Sequence, residues 1–220
     1  MNNWPKKITV DKRIIGTLSS STYENFPQAL KELIVNSYDA DASKVDLIIE
    51  KENEAIIIED TGKGMSEDDF DFYLRIAGKT RRKSDYTEGG RRIVGKFGVG
   101  FLAVFPFCKI YEIETTRRGS AELIKARINC EKYFTFDENT TIDVDSVPIF
   151  GVIARDEKIR SKQFTKIRLL GFTKLMKSFF NKEYETTKKN SIKNFDPLKL
   201  IEWELCEYLP IQYKDKEFNE

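Results

Sequence analysis

The clearest hydrophobic pattern in the chain runs through residues 26–40 and predicts a helix at about 100° per residue. One side of this helix carries Phe26, Ala29, Leu30, Leu33, Ser37 and Ala40. The opposite side carries Lys31, Val35 and Tyr38. Between the two sides, Glu32, Asn36 and Asp39 form one polar stripe. The stripe either points into a cleft beside the buried face or is solvated surface, and the helix alone does not decide between them.

A β-hairpin is predicted directly after the helix. Residues 44–51 alternate apolar and polar side chains, and residues 55–58 form an apolar run after a short polar turn. The second strand is apolar nearly throughout, which is typical of a central strand that is buried on both faces. This strand runs straight into Asp60.

The stretch after Asp60 alternates between helix signals and glycine-rich loops. Ser66, followed by three acidic residues, predicts the start of a helix. Residues 78–95 lose all periodicity and predict a mobile, basic loop that contains glycine. Residues 101–105 predict a short apolar helix that Pro106 limits.

The remaining pattern predicts a mainly antiparallel sheet followed by helices. Strands are expected at residues 111–116, 121–128, 141–154 and 165–170. From Leu175 onward the chain is expected to be helical and polar, with residues 188–191 as a linker. Asp196 and Pro197 predict the cap of a last helix that runs through Leu209.

Composition excludes several classes of chemistry. The 220 residues include 37 basic and 36 acidic side chains, so the net charge of +1 predicts no global affinity for nucleic acid or membrane. The absence of histidine excludes a Ser-His-Asp triad within this chain. The three cysteines are scattered without a zinc-binding spacing, which favours a reducing compartment. With no apolar signal core at the start and no run long enough to span a bilayer, we expect a soluble, cytoplasmic protein.

Two glycine-containing motifs indicate a nucleotide site. Asp60 ends a buried strand and can accept a hydrogen bond from an exocyclic amine such as that of adenine, while Gly62 and Gly64 let the backbone approach a flat ring. Asp60 can equally close the strand as an Asx-turn. Residues 95–100 place three glycines before a helix, an arrangement that can cradle phosphate or can mark tight packing. Lys96 adds a positive charge there.

Other nucleotide motifs do not fit the chain. Gly78, Lys79 and Thr80 resemble the end of a P-loop, but Tyr73 occupies the position of the first P-loop glycine and a helical pattern precedes it. The order of glycines in a Rossmann fold is also absent.

Three motifs in a fixed order resemble the GHKL superfamily of ATPases: DNA gyrase B, the large heat-shock chaperone, sensor histidine kinases and MutL. Residues 32–40 resemble the N box, residues 60–65 the adenine motif and residues 95–101 the glycine motif of the lid. Residues 164–165 resemble the late Gly-Thr motif, with Phe164 in place of glycine. The likeness is greatest to chaperone-like and MORC-like members. It implies an α/β (α+β) two-layer sandwich of Bergerat type, with a mixed, mostly antiparallel sheet and helices on one face.

The resemblance also implies roles for individual residues. Asn36 would be the protein ligand of Mg²⁺, Glu32 would activate the attacking water, and Asp60 would bind the adenine of ATP, with help from Thr165. Asp39 would support the site, and Lys79 or Lys96 would neutralise phosphate charge. The other implied binding positions are Ala40, Gly62, Gly64, Met65, Gly95, Phe97, Gly98, Val99, Gly100 and Phe101.

The expected organisation follows from the same resemblance. Residues 1–173 would form the ATPase domain with a lid at about 78–100, and residues 174–220 a helical extension that starts a following domain. The expected function is slow hydrolysis of ATP, in which lid closure and nucleotide-dependent homodimerisation drive an effector segment of a larger protein. Some chaperone-like members of the superfamily serve in microbial defence against phage, and we hypothesise that role here.

Two alternatives stay open. The first is a nucleotide-gated binding or scaffold module without significant turnover. The second is a DNA-handling ATPase of the repair or topoisomerase kind, in which basic residues of the loop bind nucleic acid. A solvated lid whose cations meet the phosphates of ATP is favoured over that role for the loop.

Overall fold

A computed structural model describes residues 3–7, 9–10, 26–76, 84–95, 100–131, 148–181, 184–188 and 191–208. Its strands are β1 (Asn3–Lys7), β2 (Thr9–Val10), β3 (Val45–Glu50), β4 (Ala55–Asp60), β5 (Arg75–Ile76), β6 (Cys108–Thr116), β7 (Glu122–Asn129), β8 (Pro148–Arg155), β9 (Phe164–Phe172), β10 (Tyr184–Lys188) and β11 (Ser191–Phe195). Its α-helices are α1 (Phe26–Asp39), α2 (Glu67–Tyr73), α3 (Lys174–Phe180) and α4 (Pro197–Tyr208). Two 3₁₀-helices cover Gly100–Phe107 and Glu157–Ile159.

Seven strands form one sheet in the order β1-β8-β7-β6-β9-β4-β3, and every neighbouring pair is antiparallel. A parallel pair occurs separately, between β2 and β5. The helices pack on one face of the seven-stranded sheet, so the predicted two-layer α/β sandwich is confirmed.

The hydrophobic core lies between the helices and that face of the sheet. Phe26 and Leu33 of α1 are fully buried against side chains such as Ile58 of β4 and Leu169 of β9. The Phe26 ring meets Phe107 edge-on, with 5.2 Å between ring centroids. Because complete burial of one such side chain stabilises a fold by about 1.5–3 kcal/mol, this layer holds α1 firmly on the sheet.

The register of the three central strands positions the site. Asp60 at the end of β4 pairs with Thr165 on β9, and Thr165 pairs in turn with Thr115 on β6. Side chains directly opposite each other on neighbouring strands point to the same face of a sheet. One carboxylate and two hydroxyls therefore lie side by side beneath the end of α1.

The opposite face of the sheet carries paired charges. Glu112 and Glu114 of β6 form ion pairs with Arg127, Lys125 and Arg168 on the neighbouring strands. Partly exposed ion pairs of this kind contribute about 0–1 kcal/mol each. They explain the alternation of apolar and charged residues in β6, β7 and β9, since each of these three strands has one buried and one more exposed face.

Helix α1 is covered on more sides than its periodicity predicts. Val35 and Tyr38, on the side opposite the main apolar face, are only 3% and 1% exposed. Helix α4 contacts α1, and the guanidinium of Arg91 lies over the Tyr38 ring at 5.1 Å. Elements distant in the chain therefore bury a helix side that its own pattern leaves outside the core.

The structure corrects two local expectations before β9. The apolar segment after the glycine run is a 3₁₀-helix that continues through Pro106 to Phe107, so the proline does not end it. Residues 84–95, predicted to be a mobile loop, form a small hairpin in which Tyr86 pairs with Arg92. The part of the expected 141–154 strand before Pro148 lies outside the described residues.

The segment after β9 is less helical than expected. Helix α3 ends at Phe180, and β10 and β11 form an antiparallel hairpin in which Lys188 pairs with Ser191, where a linker was predicted. The final helix does begin at Pro197, because Asp196 Oδ1 accepts hydrogen bonds from the backbone N–H groups of Leu198 and Lys199. Side chains of α3 and α4 join the same core as the sheet, and the domain boundary at residue 173 stays a prediction.

Within the described ranges, the structure contains no helix that combines the length and apolar character needed to span a bilayer.

Candidate functional site

A buried hydrogen bond joins the end of α1 to the end of β4. Ser37 Oγ donates to Asp60 Oδ2 at 2.8 Å, and the backbone N–H of Gly62 donates to Asp60 Oδ1 at 2.8 Å. Asp60 is only 4% exposed. Burial raises the pKa of its carboxyl group above the ordinary aspartate value, and the hydrogen bonds from Ser37 and Gly62 partly offset that rise. The carboxylate is thus fixed in orientation, with lone pairs left for a further donor.

The two glycines after Asp60 allow close packing of the turn. A Cβ on Gly62 would lie 2.8 Å from the Cβ of Ala40, and the N–H of Lys63 donates to the carbonyl of Ala40 at 2.9 Å. Gly64 has a φ of +65°, and a Cβ there would lie 1.9 Å from the carbonyl oxygen of Thr116. Only glycine can occupy position 64 without displacing the backbone of Thr116. The turn is therefore packed tightly between α1 and the sheet.

Thr115, which sequence reasoning missed, lies at the centre of the polar cluster on the sheet. The backbone N–H of Met65 donates to Thr115 Oγ1 at 3.0 Å, and Thr115 Oγ1 donates to the carbonyl of Phe164 at 3.0 Å. Thr115 Oγ1 also lies 3.2 Å from Thr165 Oγ1. Phe164, which replaces the glycine of the late motif, contributes here only its backbone carbonyl, so Thr165 keeps its place beside Asp60.

The other end of the polar stripe meets the glycine run. A Cβ on Gly100 would lie 3.1 Å from Glu32 Cβ and 3.5 Å from Asn36 Nδ2. A Cβ on Gly95 would lie 3.9 Å from Asn36 Oδ1. Glu32 and Asn36 are half-buried, and desolvation raises the pKa of Glu32 above the ordinary glutamate value, partly offset by the charge of Lys31. A carboxylate and an amide of α1 therefore lie directly against the two ends of the glycine run.

Asp39, the third member of the stripe, accepts hydrogen bonds from the backbone of residues 94–95. Its Oδ1 accepts from the N–H of Val94 at 2.9 Å, and its Oδ2 accepts from the N–H of Gly95 at 2.8 Å. These two hydrogen bonds fix the point at which the glycine run begins. Asp39 therefore holds the backbone of residues 94–95 against the end of α1.

The hairpin of residues 84–95 docks on the end of α1 through further contacts. Asp41 accepts from the hydroxyl of Thr87 and from the N–H of Gly89, the latter at 2.9 Å. Arg91 Nη1 donates to the carbonyl of Ala42 at 2.7 Å, while its guanidinium covers the Tyr38 ring. The end of the helix that carries Glu32 and Asn36 thus also anchors the hairpin of residues 84–95.

The remaining expected site residues fall into two groups. Phe101 is 1% exposed and packs against Tyr73 at 4.6 Å between centroids, so its side chain belongs to the core. Met65 is partly buried against the same core. Lys79, Lys96, Phe97, Gly98 and Val99 lie outside the described residues.

The donor set is compatible with Mg²⁺. Among the residues that the structure describes, no three Asp, Glu, His or Cys side chains cluster to hold a metal by themselves. Mg²⁺ usually binds one or two protein oxygens together with water and phosphate oxygens. The amide oxygen of Asn36, beside the glycine run, fits that pattern.

The comparison with protein families agrees with this geometry. Residues 23–157, more than half of the chain, match the family described as "Histidine kinase-, DNA gyrase B-, and HSP90-like ATPase". The chain belongs to this ATPase family. Family members are ATPases, and the two-layer architecture predicted from the sequence is the architecture of the sheet and helices described above.

Relatives share only part of their length with the chain. The putative type II restriction enzyme HgiDII of Herpetosiphon aurantiacus is 36% identical over 106 residues, which are 48% of this chain and 17% of that protein. The chaperone protein HtpG of Bacillus subtilis is 28% identical over 136 residues, 52% of this chain and 22% of HtpG. The chain therefore spans about a fifth of the length of these relatives. The solved ATPase region of Saccharomyces cerevisiae topoisomerase II is 15% identical with a TM-score of 0.49, over 80% of this chain and 43% of that chain.

Proposed function

We propose that this chain binds ATP with the base on Asp60 and the phosphates beside Glu32 and Asn36, and that it hydrolyses ATP slowly. The observation that carries the proposal is the meeting of three separate motifs along α1. Ser37 bonds to Asp60, Asp39 bonds to the backbone of Gly95, and Gly100 lies against Glu32. Membership of an ATPase family supports the same reaction.

At the base end, Asp60 accepts the hydrogen bond of the adenine amino group. Its two oxygens are already oriented by Ser37 and Gly62, so little conformational freedom is lost on binding. Thr165 lies beside Asp60 and adds a hydroxyl, and Met65 packs at the edge of the base. A buried acceptor favours a ligand that brings a donor, because an acceptor placed against the carboxylate would lose its hydrogen bond to water without gaining another.

At the phosphate end, Asn36 would hold the metal and Glu32 would take the proton of the attacking water. When bound, Mg²⁺ would neutralise charge on the phosphates. Glu32, whose pKa burial raises, would accept a proton from the attacking water as a general base. The N–H groups of the glycine run, together with Lys79 or Lys96, would bind phosphate oxygens.

The lid is the moving part of the proposed cycle. We propose that ATP closes the segment of residues 78–100 and that two copies then associate, passing a conformational change to a segment of a larger protein. Asp39, which accepts a hydrogen bond from the N–H of Gly95, would transmit a movement of the glycine run to α1. Weak turnover is expected for the isolated chain.

Calorimetry with ATP, ADP and Mg²⁺ tests the proposal on wild type, Asp60→Asn and Glu32→Ala. Asp60→Asn should weaken binding by about hundredfold or more, because it replaces a charged acceptor in a buried site. Glu32→Ala should bind ATP normally and lose turnover. Glu59→Gln is the matched control, since Glu59 precedes Asp60 but pairs with Lys166 on the opposite face. Equal binding by Asp60→Asn and wild type would refute the base site.

The same variants separate the ATPase from a nucleotide-gated scaffold. If wild type and Glu32→Ala bind equally and neither turns ATP over, even when the complete protein is used, the scaffold function holds instead. For the pathway, the resemblance to chaperone-like members motivates defence against phage. Plaque counts on cells with the complete wild-type protein or its Asp60→Asn variant test it, and equal counts would exclude an ATP-dependent defence.

DNA handling is the second candidate, and the likeness to a putative type II restriction enzyme favours it. A cavity of about 600 Å³ at the end of β4 is lined by the cations Lys44, Arg118 and Lys162, which face the carboxylates of Asp46, Glu59 and Asp60 in the same lining. Arg118 and Lys162 are the cations there that would meet a phosphate, because Lys44 pairs with Asp46. Anisotropy with labelled duplex DNA over a range of salt would measure binding. Arg118→Ala with Lys162→Ala should lower the salt slope by about 0.9 per lost phosphate contact, while Lys199→Ala on α4 should not. No salt-dependent binding by wild type would exclude this candidate.

A further inference from the structure

The hydroxyl of Thr115 can make only a limited set of hydrogen bonds, and the structure uses all of them. A threonine hydroxyl has one proton and two lone pairs. The carbonyl of Phe164 is an acceptor only, so it takes the proton of Thr115. The N–H of Met65 is a donor only, so it occupies one lone pair.

The remaining lone pair of Thr115 decides the direction of the next hydrogen bond. Thr165 Oγ1 lies 3.2 Å from Thr115 Oγ1, and either oxygen could donate when that contact is taken alone. Because the proton of Thr115 is already used, Thr165 must donate. The hydroxyl proton of Thr165 therefore points toward Thr115, and its lone pairs are left for the side of the site where Asp60 lies.

We infer that Thr115 is a positioning residue that sets the hydrogen-bond polarity of the base pocket through Thr165. The inference rests on the proposed nucleotide site. With Thr165 turned, the sheet end presents acceptors only: the carboxylate of Asp60 and the hydroxyl oxygen of Thr165. These two acceptors bind an amino group of the base, directly or through a water that donates to Thr165. They disfavour a base that has a carbonyl at the same place. Burial favours this fixed direction, because Thr115 is 0% exposed and Thr165 only 8%.

The experiment compares adenosine diphosphate with inosine diphosphate, which carries a carbonyl in place of the amino group. Dissociation constants for both are measured by calorimetry, and their ratio reports polarity at the base. Wild type should favour the adenosine compound. Thr115→Val removes the hydroxyl, lets the proton of Thr165 turn toward the ligand, and should lower the ratio about tenfold. Thr115→Ser keeps the hydroxyl and should keep the ratio within about twofold of wild type.

Thr116→Val is the matched control. Thr116 is the next residue on β6, is also 0% exposed, and donates to the carbonyl of Glu122 at 2.9 Å. Its side chain belongs to the other face of the strand, so its loss should lower the melting temperature as much as Thr115→Val while leaving the ratio unchanged. A double-mutant cycle with Thr165→Val adds a second readout. If Thr115 acts through Thr165, the two effects on the ratio will not add.

The outcomes separate this inference from the proposed function. An unchanged ratio in Thr115→Val, with a melting temperature lowered as in Thr116→Val, would show that Thr115 is structural only. Additive effects in the cycle would contradict the route through Thr165. If Thr115→Val does not fold, Thr115→Cys replaces it, since a thiol is a weak donor and acceptor, and the ratio should again fall. Failure of wild type to bind either nucleotide would instead refute the nucleotide site itself.

Discussion

The two ends of the candidate site are built in different ways. The base end consists of buried groups on three neighbouring strands and α1, each held by short hydrogen bonds, as Asp60 is held by Ser37 and Gly62. The phosphate end consists of half-buried side chains next to a hairpin that docks on α1 through Asp41 and Arg91. For the nucleotide site proposed above, this difference predicts a rigid base end that selects the ligand and a less rigid phosphate end that responds to it.

Glycine substitutions should give the largest contrast between the two ends. Gly64→Ala should lower the free energy of unfolding by about 3 kcal/mol, since a Cβ there would overlap the Thr116 carbonyl in a left-handed backbone. Gly90 in the lid hairpin also has a positive φ, of +82°, but its Cβ would meet no atom within 4 Å. Gly90→Ala should therefore lose only about 1 kcal/mol. Urea unfolding measures both, and equal losses would contradict the contrast in packing.

Loss of the hydrogen bonds that Asp39 makes to residues 94–95 should have the second-largest effect, a weaker affinity for ATP. Asp39→Ala removes the acceptors for the N–H groups of Val94 and Gly95, so the glycine run loses its fixed start. We expect ATP to bind about tenfold more weakly, with binding of adenosine alone nearly unchanged. Calorimetry with both ligands checks this. A parallel loss for adenosine would mean that Asp39 acts on the base end instead.

Weaker docking of the hairpin of residues 84–95 on α1 should have a smaller effect, seen as faster hydrogen exchange in the hairpin. Arg91→Ala removes the hydrogen bond to the Ala42 carbonyl and the contact with the Tyr38 ring, worth about 1–2 kcal/mol together. Hydrogen exchange at residues 84–95 should become about tenfold faster, while exchange in β4 and β9 stays as in wild type. Arg92→Ala, an exposed neighbour in the same hairpin, is the control. Unchanged exchange in the Arg91 variant would show that the hairpin is held by other contacts.

The pH dependence of turnover should be a further, smaller signature of the phosphate end. Burial raises the pKa of Glu32, and only the deprotonated carboxylate can act as a base. Turnover should therefore fall on acidification at a pH above the ordinary glutamate value. Glu32→Gln should lose both the turnover and this acid limb. If the residual turnover of Glu32→Gln still fell at the same acidic pH, the group that titrates would be a residue other than Glu32.

The pH dependence of stability gives the corresponding test of the base end. The pKa of Asp60 is raised on folding, so the folded state binds its proton more tightly than the unfolded state. Its contribution to stability is then present below the unfolded pKa and is lost as pH rises through the raised folded pKa. Asp60→Asn should therefore gain stability relative to wild type as the pH rises above the ordinary aspartate pKa. A difference that is constant with pH would contradict the raised pKa.

Local patterns in the chain predicted much of this arrangement. The stripe of Glu32, Asn36 and Asp39 follows from helix periodicity, and the position of Asp60 follows from an apolar strand that stops at a glycine-rich turn. Each of these predictions uses residues within a few turns of one another, so neighbouring side chains carry the signal. The hairpin of β10 and β11 was missed, because a short polar segment has little periodicity of its own and tertiary contacts decide its structure.

The amino-acid sequence by itself determined the family, the order of the three motifs and the layered α/β architecture, since these depend on local periodicity and on short runs of particular residues. The tertiary structure decided the rest: that Thr115 lies against Thr165, that Asp39 holds the backbone of Gly95, and that Arg91 covers Tyr38. These contacts join residues about 50 positions apart in the chain. Strand register and helix docking set such distances, and both are properties of the whole packed core that no single segment contains.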